Sequence, residues 1–397
     1  MTDKETSAPY GDEYKWPDTL YREMRDMAAL SFMCYSFGYI VNLARKQEGG
    51  LKGLSLDENS EKSIVKSGVS DSALKRSFTP SEVKQIVEEN VEALSKEAND
   101  FRGRGLKGTL SALEKLDARA KESGLDRPLT LEEFDDVYQS KECVYAVCKD
   151  DINKRITVVF RGTNDLAFFS NWVTNFSAFQ KEVPLPDKLQ DKIDAKEMQF
   201  HTGFYVDEKD EKSKRKMDQI LDDVKSLLAK NPGYQVYTTG HSLGAALSSI
   251  CAFYFALDDD LPKPISCVNF AAPRVGGWDV FQAVHHLEKT KQLRVLRMVN
   301  ENDLVTTVPG GTYYHFGVQI DCYHKKFWQR KASPPNITYF NPTEDFWTRF
   351  GKTWTNSIIT NLNIGYDHGN YISRLVANEE YLGDSSLNDI YVKEGIL

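Results

Sequence analysis

Short runs of β-branched and aromatic residues alternate along this chain with longer stretches that place apolar residues at helical spacing. The short runs predict strands near residues 142–149, 156–160, 234–239, 266–270 and 293–299. Helical stretches separate the later runs, as in folds whose parallel strands are joined by crossover helices. The pattern therefore predicts an α/β fold with a mostly parallel central sheet and helices on both faces.

The first long apolar stretch, residues 18–46, predicts a core helix. Its most apolar part, Met27–Val41, has fifteen residues and contains Ser, Tyr and Cys. A membrane-spanning helix needs about 20 mostly apolar residues, so a membrane anchor is the less favoured interpretation. Residues 1–16 are polar and charged and do not have the pattern of a secretory signal. We therefore expect neither a signal peptide nor a transmembrane helix.

A block of predicted helices precedes the sheet. Residues 49–77 are polar with Gly and Ser, which is typical of a flexible linker, and residues 79–82 have the form of a capping box with proline at the first helical position. Leu110, Leu113 and Leu116 indicate a second helix, and residues 130–133 predict the start of a third. Three roles are open for this helical block, residues 79–140, which with the linker forms an insertion: it covers a site, binds a protein partner or braces the core.

The segment with the strongest chemical signal joins the predicted strand 234–239 to an apolar helix, residues 245–257. It reads Gly240-His241-Ser242-Leu243-Gly244. A strand that turns sharply into a helix through Gly-x-Ser-x-Gly is a nucleophile elbow, because glycines two residues away make room for the strained serine. The helix N-terminus favours a negative charge that develops beside the serine. The pattern predicts that Ser242 is a nucleophile and that the Leu243 N–H is an oxyanion donor.

Five of the seven histidines follow Ser242 along the chain. His285 and His286 lie in a predicted helix, and His324 precedes two lysines in a polar loop. His315 lies in a strand-like run that is typical of a packed core histidine. His368 lies in a glycine-flanked loop late in the chain, where a nucleophile-acid-base order along the sequence places the general base.

A carboxylate candidate follows the last predicted strand. Residues 292–299 end at Asn300-Glu301-Asn302-Asp303, a polar cluster at the carboxyl edge of the sheet, where open α/β folds place their sites. Glu301 and Asp303 are both available to orient a histidine. The sequence pattern alone leaves the choice open, since a carboxylate in a loop is usually a solvated charge.

These residues resemble the class 3 (fungal-type) triacylglycerol lipases of the α/β-hydrolase fold. The matching segments occur in the family's order between about residues 142 and 372. Besides the elbow, they are Val159-Phe160-Arg161-Gly162-Thr163, Asn171-Trp172-Val173-Thr174-Asn175-Phe176, His201-Thr202-Gly203-Phe204, Ala271-Ala272-Pro273-Arg274-Val275-Gly276, residues 299–309 and His368-Gly369-Asn370-Tyr371.

The resemblance assigns further roles. It favours Asp303 over Glu301 as the acid, implies His368 as the base, and places the second oxyanion donor at the backbone N–H of Thr163. Leu304 stands where many relatives have proline, and two extra residues precede Pro309, so the path of this loop departs from the family. For Arg161 we expect a structural ion pair beneath the loop.

The resemblance also implies a lid between residues 164 and 176. Phe168, Phe169 and Trp172 are its expected lipid-facing residues. From the apolar spacing alone, an ordinary amphipathic helix buried in the core is the favoured interpretation. The family position favours the lid, which is about three residues longer here than in compact fungal relatives.

Charge and cysteine usage exclude several classes of partner. Lys and Arg total 50 against 58 Asp and Glu, a net charge of −8, which gives no basic footprint for nucleic acid and does not favour anionic lipid. The six cysteines lack metal or disulfide spacing, so free, mostly buried thiols and a reducing compartment are expected. We expect no metal and no organic cofactor.

Together these features predict a serine carboxylester hydrolase that cleaves acyl esters of glycerolipids, with triacylglycerol as the first candidate, through an acyl-enzyme on Ser242. The alternatives are a phospholipase A1 or galactolipase-type acyl hydrolase, and a lipase-like binding or signalling module without turnover. A lipid ester at an interface is the expected substrate, so peripheral contact with a lipid surface is expected. The expected location is cytoplasmic, with lipid-droplet or membrane association left open.

The expected organisation has four parts. Residues 1–48 form an N-terminal segment with the first core helix, and residues 49–140 form the linker and helical insertion. Residues 141–375 form the hydrolase core, and residues 376–397 a C-terminal tail. The head group, the acyl chain, the oligomeric state and the pathway have no sequence code, because loops without regular patterns contact the lipid.

Overall fold

The structure is a computed structural model that describes most of the chain. The described residues are 19–46, 74, 76–97, 103–136, 143–162, 180–201, 211–323, 333–339, 368–383 and 385–396. The linker predicted at residues 49–77 lies almost entirely outside them.

Ten strands are present in the described part of the chain. They are β1 Leu129–Asp135, β2 Tyr145–Asp150, β3 Arg155–Phe160, β4 Gln180–Pro184, β5 Glu197–His201, β6 Gln235–His241, β7 Ile265–Phe270, β8 Leu293–Asn300, β9 Val318–Cys322 and β10 Asn336–Tyr339. Eight of them form one sheet in the order β1-β2-β3-β6-β7-β8-β9-β10, and β4 and β5 form a separate hairpin. The pairs from β3 to β9 are parallel, whereas β1, β2 and β10 join antiparallel.

The helices lie between and after these strands. They are α1 Leu20–Lys46, α2 Pro80–Glu89, α3 Val91–Glu97, α4 Gly103–Glu122, α5 Glu211–Lys230, α6 Leu243–Leu257, α7 Trp278–Lys289, α8 Tyr371–Ala377, α9 Glu379–Leu382 and α10 Leu387–Lys393. Two short 3₁₀ turns, Asp187–Leu189 and Leu304–Thr307, complete the described elements.

The two faces of the sheet carry different helices. Val236 on β6 packs into a core with residues of α5, α6 and α7, while its neighbour Tyr237 packs with residues of α1, α8 and α10. Successive side chains of a strand point to opposite faces, so a single strand contributes to both cores. This arrangement confirms the predicted α/β-hydrolase type of fold, with a mostly parallel sheet between two helical layers.

Helix α1 is buried and carries charged residues into the core. Glu23 accepts hydrogen bonds from Arg294 at 2.8 Å and from the Tyr237 hydroxyl at 2.9 Å. The N–H of Leu20 donates to the carbonyl oxygen of Ser385 at 2.6 Å, which ties the start of α1 to the C-terminal helices. By length and composition Leu20–Arg45 could cross a membrane, but 83% of its apolar window is buried inside the structure.

The insertion agrees with the sequence pattern at its start and departs from it at its end. Thr79 and Glu82 form the predicted capping box, and α4 spans the predicted second helix. The third predicted helix is wrong, because residues 129–135 form the edge strand β1, in which Leu129 pairs with Asp150 of β2. Leu131 and Phe134 are buried there, and pairing with β2 overrides the local capping signal.

Candidate active site

Ser242 lies at the sharp turn between β6 and α6. Its backbone has φ 60° and ψ −126°, a strained conformation for a residue with a side chain. A methyl group at Gly240 would overlap the backbone of Gly244, and one at Gly244 would overlap the carbonyl of Phe160. Both glycines are therefore required by close backbone packing, and the turn has the geometry of the elbow that the sequence predicts.

The hydroxyl of Ser242 lies in a buried position. The residue is 2% exposed, and Oγ has no hydrogen-bond partner within the described residues. Leu243 is the first residue of α6, where backbone N–H groups have no acceptor inside the helix. The serine therefore stands beside a donor group that is suited to an anion.

Asp303 and His368 meet at the carboxyl edge of the sheet. Asp303 follows β8 and is fully buried, and its Oδ1 and Oδ2 lie 3.1 and 3.0 Å from Nδ1 of His368. The carboxylate also accepts hydrogen bonds from the N–H of Val305 at 3.0 Å and from the Tyr371 hydroxyl at 2.6 Å. A carboxylate beside Nδ1 holds the proton on that nitrogen, so that Nε2 of His368 carries the lone pair of a base.

His241 supports the loop that carries His368. Its Nε2–H donates to the carbonyl oxygen of His368 at 2.7 Å, and its Nδ1 lies 3.2 Å from the Tyr35 hydroxyl. The two imidazole rings are 4.5 Å apart between centroids, and Phe32 packs against His241 at 5.1 Å. The sequence pattern identified His241 only as a spacer of the elbow, and nothing in it pointed to the partners from α1.

The segment that follows β3 packs directly behind the elbow. A methyl group at Gly162 would overlap the Tyr35 hydroxyl, and it would lie 2.5 Å from the carbonyl oxygen of His241. Arg161 is 6% exposed, and its Nε and Nη1 atoms have no hydrogen-bond partner among the described residues. The ion pair predicted for Arg161 is therefore not seen in this part of the structure.

Several predicted site residues lie outside the described part of the chain. They are Thr163, the whole predicted lid at residues 164–176 with Phe168, Phe169 and Trp172, and His324. Their roles stay predictions.

The remaining candidates in the described part of the chain have other hydrogen-bond partners. His315 is buried, and its Nε2–H donates to the carbonyl oxygen of Thr306 at 2.7 Å, as expected for a core histidine. Nδ1 of His285 lies 2.7 Å from the Tyr339 hydroxyl, and burial lowers the pKa of His285. Asp303, rather than Glu301, is the carboxylate that contacts His368.

The cysteines are free thiols, as the spacing predicts, and five of the six are buried. Burial raises the pKa of the Cys34 thiol to about 12, so this group does not supply a reactive thiolate. Within the described ranges no cluster of three or more His, Cys, Asp or Glu side chains is placed to hold a metal ion.

Comparison with known proteins finds similarity to lipases. The model of the class 3 lipase family matches residues 157–313. The chain is 29% identical over 181 residues to the chloroplastic galactolipase DONGLE of Arabidopsis thaliana, a match that covers 42% of this chain and 37% of that protein. It is 32% identical over 129 residues to phospholipase A1-II 5 of Oryza sativa subsp. indica, which covers 30% of this chain and 27% of that protein.

A crystal structure of a fungal lipase aligns with 67% of this chain and 86% of its own, with 19% identity and a TM-score of 0.46. The matches to the two plant proteins span only about a third of the length of each.

Proposed function

We propose, from the match of residues 157–313 to the class 3 lipase family, that the chain is a member of this family and hydrolyses acyl esters of glycerolipids. The arrangement at the carboxyl edge of the sheet supports this proposal. Ser242 stands on a strained elbow, and His368 is held by the buried carboxylate of Asp303 at 3.0 Å. A serine, an acid and a histidine in this chain order supply the nucleophile, the orienting group and the general base.

In the proposed reaction, Oγ of Ser242 attacks the ester carbonyl carbon while Nε2 of His368 takes the hydroxyl proton. Asp303 accepts the hydrogen bond from Nδ1–H and stabilises the imidazolium. The backbone N–H of Leu243 binds the tetrahedral oxyanion, with the N–H of Thr163 as the second donor. Ser242 Oγ has no partner among the described residues, and such catalytic hydrogen bonds commonly tighten only when substrate binds.

Collapse of the tetrahedral intermediate breaks the ester bond. His368 then passes its proton to the leaving alcohol, and the acyl group stays on Ser242. A water molecule, deprotonated by His368, attacks the acyl-enzyme, releases the fatty acid and restores the serine.

Two classes of head group are candidates. Triacylglycerol is the first, from the resemblance of the site segments to fungal-type lipases. Polar glycerolipids are the second, because a galactolipase and a phospholipase A1 are among the proteins to which this chain is similar. Assays on triacylglycerol emulsions, phosphatidylcholine vesicles and galactolipid micelles would separate them, since each head group presents a different leaving alcohol.

The test of turnover is the nucleophile variant. Ser242→Ala should lower ester hydrolysis by several orders of magnitude while the melting temperature changes by only a few degrees, because the Ser242 hydroxyl makes no hydrogen bond to the described residues and the alanine keeps the backbone hydrogen bonds. A fluorophosphonate probe should label the wild type and not the variant. A wild-type chain that binds lipid but neither hydrolyses esters nor takes the label would favour the module without turnover.

The proposal includes contact with a lipid surface, and Trp278 is its best-supported contact residue. Trp278 is 45% exposed at the N-terminus of α7, which follows β7 and therefore starts at the carboxyl edge of the sheet. Its ring stacks on Phe281 at 4.9 Å and meets the edge of Tyr314 at 5.4 Å, so the ring is held in place. Indole rings favour the boundary between water and lipid.

Trp278→Ser should weaken binding to neutral lipid vesicles about fivefold, corresponding to about 1 kcal/mol of lost apolar contact. Hydrolysis of a soluble short-chain ester should stay unchanged. Leu125→Ser is the matched control, because Leu125 is 53% exposed but lies near β1 and the amino edge of the parallel strands. Equal losses in both variants, or loss of the soluble activity as well, would contradict this contact.

A further inference from the structure

Helix α4 of the insertion packs against the helix that follows His368. Ala112 and Leu116 of α4 are each 3% exposed and form an apolar cluster with Ala29 of α1 and Leu129. Ile372, on the first turn of α8, packs against this cluster. The insertion therefore contacts the part of the chain that also carries the base.

Tyr371 and Leu375 form a second stripe on α8, next to Ile372, and this stripe contacts the acid Asp303. The Tyr371 hydroxyl donates to Asp303 at 2.6 Å and accepts the N–H of Asn300 at 3.2 Å. Leu375, one turn later, is 1% exposed and packs in the same core as Tyr371. Ile372 and Val376 are also four residues apart, and each follows a residue of the first pair directly. The stripe of α8 that faces α4 therefore lies beside the stripe whose Tyr371 contacts Asp303.

The contact between α4 and α8 rests on few side chains. A small cleft separates the two helices and α1, and Leu116, Ile372, Leu375 and Val376 line it together with alanines of α1 and α4. On this side Leu116 and Ile372 bring α4 and α8 into one apolar cluster, while Tyr371 and Leu375 pack in the core that α8 shares with α1 and the sheet. A displacement of α8 would carry Tyr371 and His368 with it, because both belong to one short segment.

We propose that α4 is a positioning element for the acid–base pair, which acts through α8. This inference rests on the proposed function, since it assumes that Asp303 and His368 serve Ser242. Reacting groups must be held within a fraction of an ångström, so a small shift of α8 lowers the rate of the chemical step more than it lowers substrate binding. Leu116 and Ile372 are positioning residues and do not touch substrate.

Two leucines of α4 provide a matched pair for the test. Leu116 faces the cleft at α8, whereas Leu113 is 0% exposed and packs in the separate core of α1, α2 and β1. Leu116→Ala and Leu113→Ala remove the same atoms from one helix in the full chain. Leu116→Met serves as the conservative variant, because it refills most of the volume.

We expect Leu116→Ala to lower kcat on a soluble p-nitrophenyl ester about tenfold, with KM within about twofold, and Leu116→Met to recover most of the rate. Leu113→Ala should lower the melting temperature by a similar amount and keep kcat. Hydrogen exchange of the amides of residues 371–377 should accelerate in Leu116→Ala alone. Equal kcat in the two alanine variants, or unchanged exchange in α8 of Leu116→Ala, would overturn the proposal.

Ser242→Ala separates this inference from the proposed function. If the wild type shows no hydrolysis that depends on Ser242, the proposed function fails. The hydrogen-exchange comparison still decides whether α4 fixes α8, because it requires no turnover.

Discussion

At the scale of single residues, Tyr371 connects the acid, the end of β8 and the helix after the base. Burial and the neighbouring Asp303 carboxylate raise the pKa of Tyr371 well above its usual value of 10.0, so its hydroxyl stays protonated and donates to the acid. The same hydroxyl accepts the backbone N–H of Asn300. A phenylalanine at this position would keep the ring and lose both hydrogen bonds.

Tyr371→Phe should therefore lower kcat about tenfold, because a hydrogen bond to a charged group contributes about 1.5–3 kcal/mol and Asp303 would be less well fixed. Steady-state kinetics on a soluble ester measures this effect. Tyr391→Phe is the matched control, since Tyr391 also donates to a buried carboxylate, Glu288, and also accepts a backbone N–H, that of Val295. A similar fall of kcat in both variants would show that the effect is general destabilisation.

The sequence pattern identified the site residues that are marked by their neighbours in the sequence. It missed the residues whose role depends on contacts with distant parts of the chain. Ser242 is recognisable from its glycines and His368 from its flanking loop. The choice between Asp303 and Glu301 needed the family resemblance, and in the structure the difference is which carboxylate faces His368. Tyr35 contacts His241 across 206 positions of the chain, and no spacing rule reports such a pair.

At the scale of elements, the pattern predicted five strands of the sheet, β2, β3, β6, β7 and β8, and missed the buried strand β9 as well as the edge and hairpin strands. The strand β7, for example, is buried at every position and contains the β-branched residues Ile265 and Val268, from which a strand is predicted. The edge strand β1 reads as a helix start because Thr and Glu are common at caps, and only its pairing with β2 reveals the strand. The short strands β4, β5 and β10 depend in the same way on their partners.

Glu288 on α7 joins three elements through one buried carboxylate. It accepts hydrogen bonds from Tyr391 of α10 at 2.5 Å, from Tyr339 of β10 at 2.6 Å and from the N–H of Val295 at 3.2 Å. Burial is the largest effect and raises the pKa of Glu288 from 4.5 to about 7, although these donors and Arg297 favour the charged form. Between these two values the folded chain retains a proton that the unfolded chain has released.

The free energy of unfolding should therefore fall as pH rises from about 4.5 to about 7, by roughly 3 kcal/mol from this residue alone, and then level off. Glu288→Gln should lack this part of the dependence. Urea unfolding across this range measures the free energy of unfolding. Its value for the variant minus its value for the wild type should rise with pH. Glu197→Gln, at an exposed position on β5, should follow the wild-type curve. A constant difference between Glu288→Gln and wild type would contradict the assignment.

At the scale of the whole molecule, buried charges tie the insertion, α1 and the sheet together. Asp26 of α1 forms ion pairs with Arg119 of α4 and with Arg155 of β3, the latter at 3.4 Å. Arg119 also pairs with Asp150 of β2 at 3.0 Å, and Arg155 is 1% exposed. The apolar pattern predicts the insertion, α1 and the sheet as separate layers. Charged side chains, which the same pattern would place on the surface, join these layers.

Asp26→Asn should destabilise the fold by about 3–5 kcal/mol, because it leaves Arg155 charged and buried without its carboxylate. Chemical unfolding measures the change. Asp259→Asn is the comparison, since its ion pair with Lys188 is exposed and should contribute less than about 1 kcal/mol. If both variants lost a similar amount of unfolding free energy, the buried ion pairs would stabilise the fold no more than the exposed pair does.

The hydrogen bond between Leu20 and Ser385 has a consequence for synthesis on the ribosome. It joins positions more than three hundred residues apart, and α1 shares a core with residues of α8 and α10. At about 5–20 residues per second, the interval between making α1 and making these partners is on the order of 20–70 s. During that time the part of α1 that packs against α8 and α10 lacks these partners, so its apolar surface stays exposed. Chaperones that bind nascent chains therefore have the longest time to bind α1.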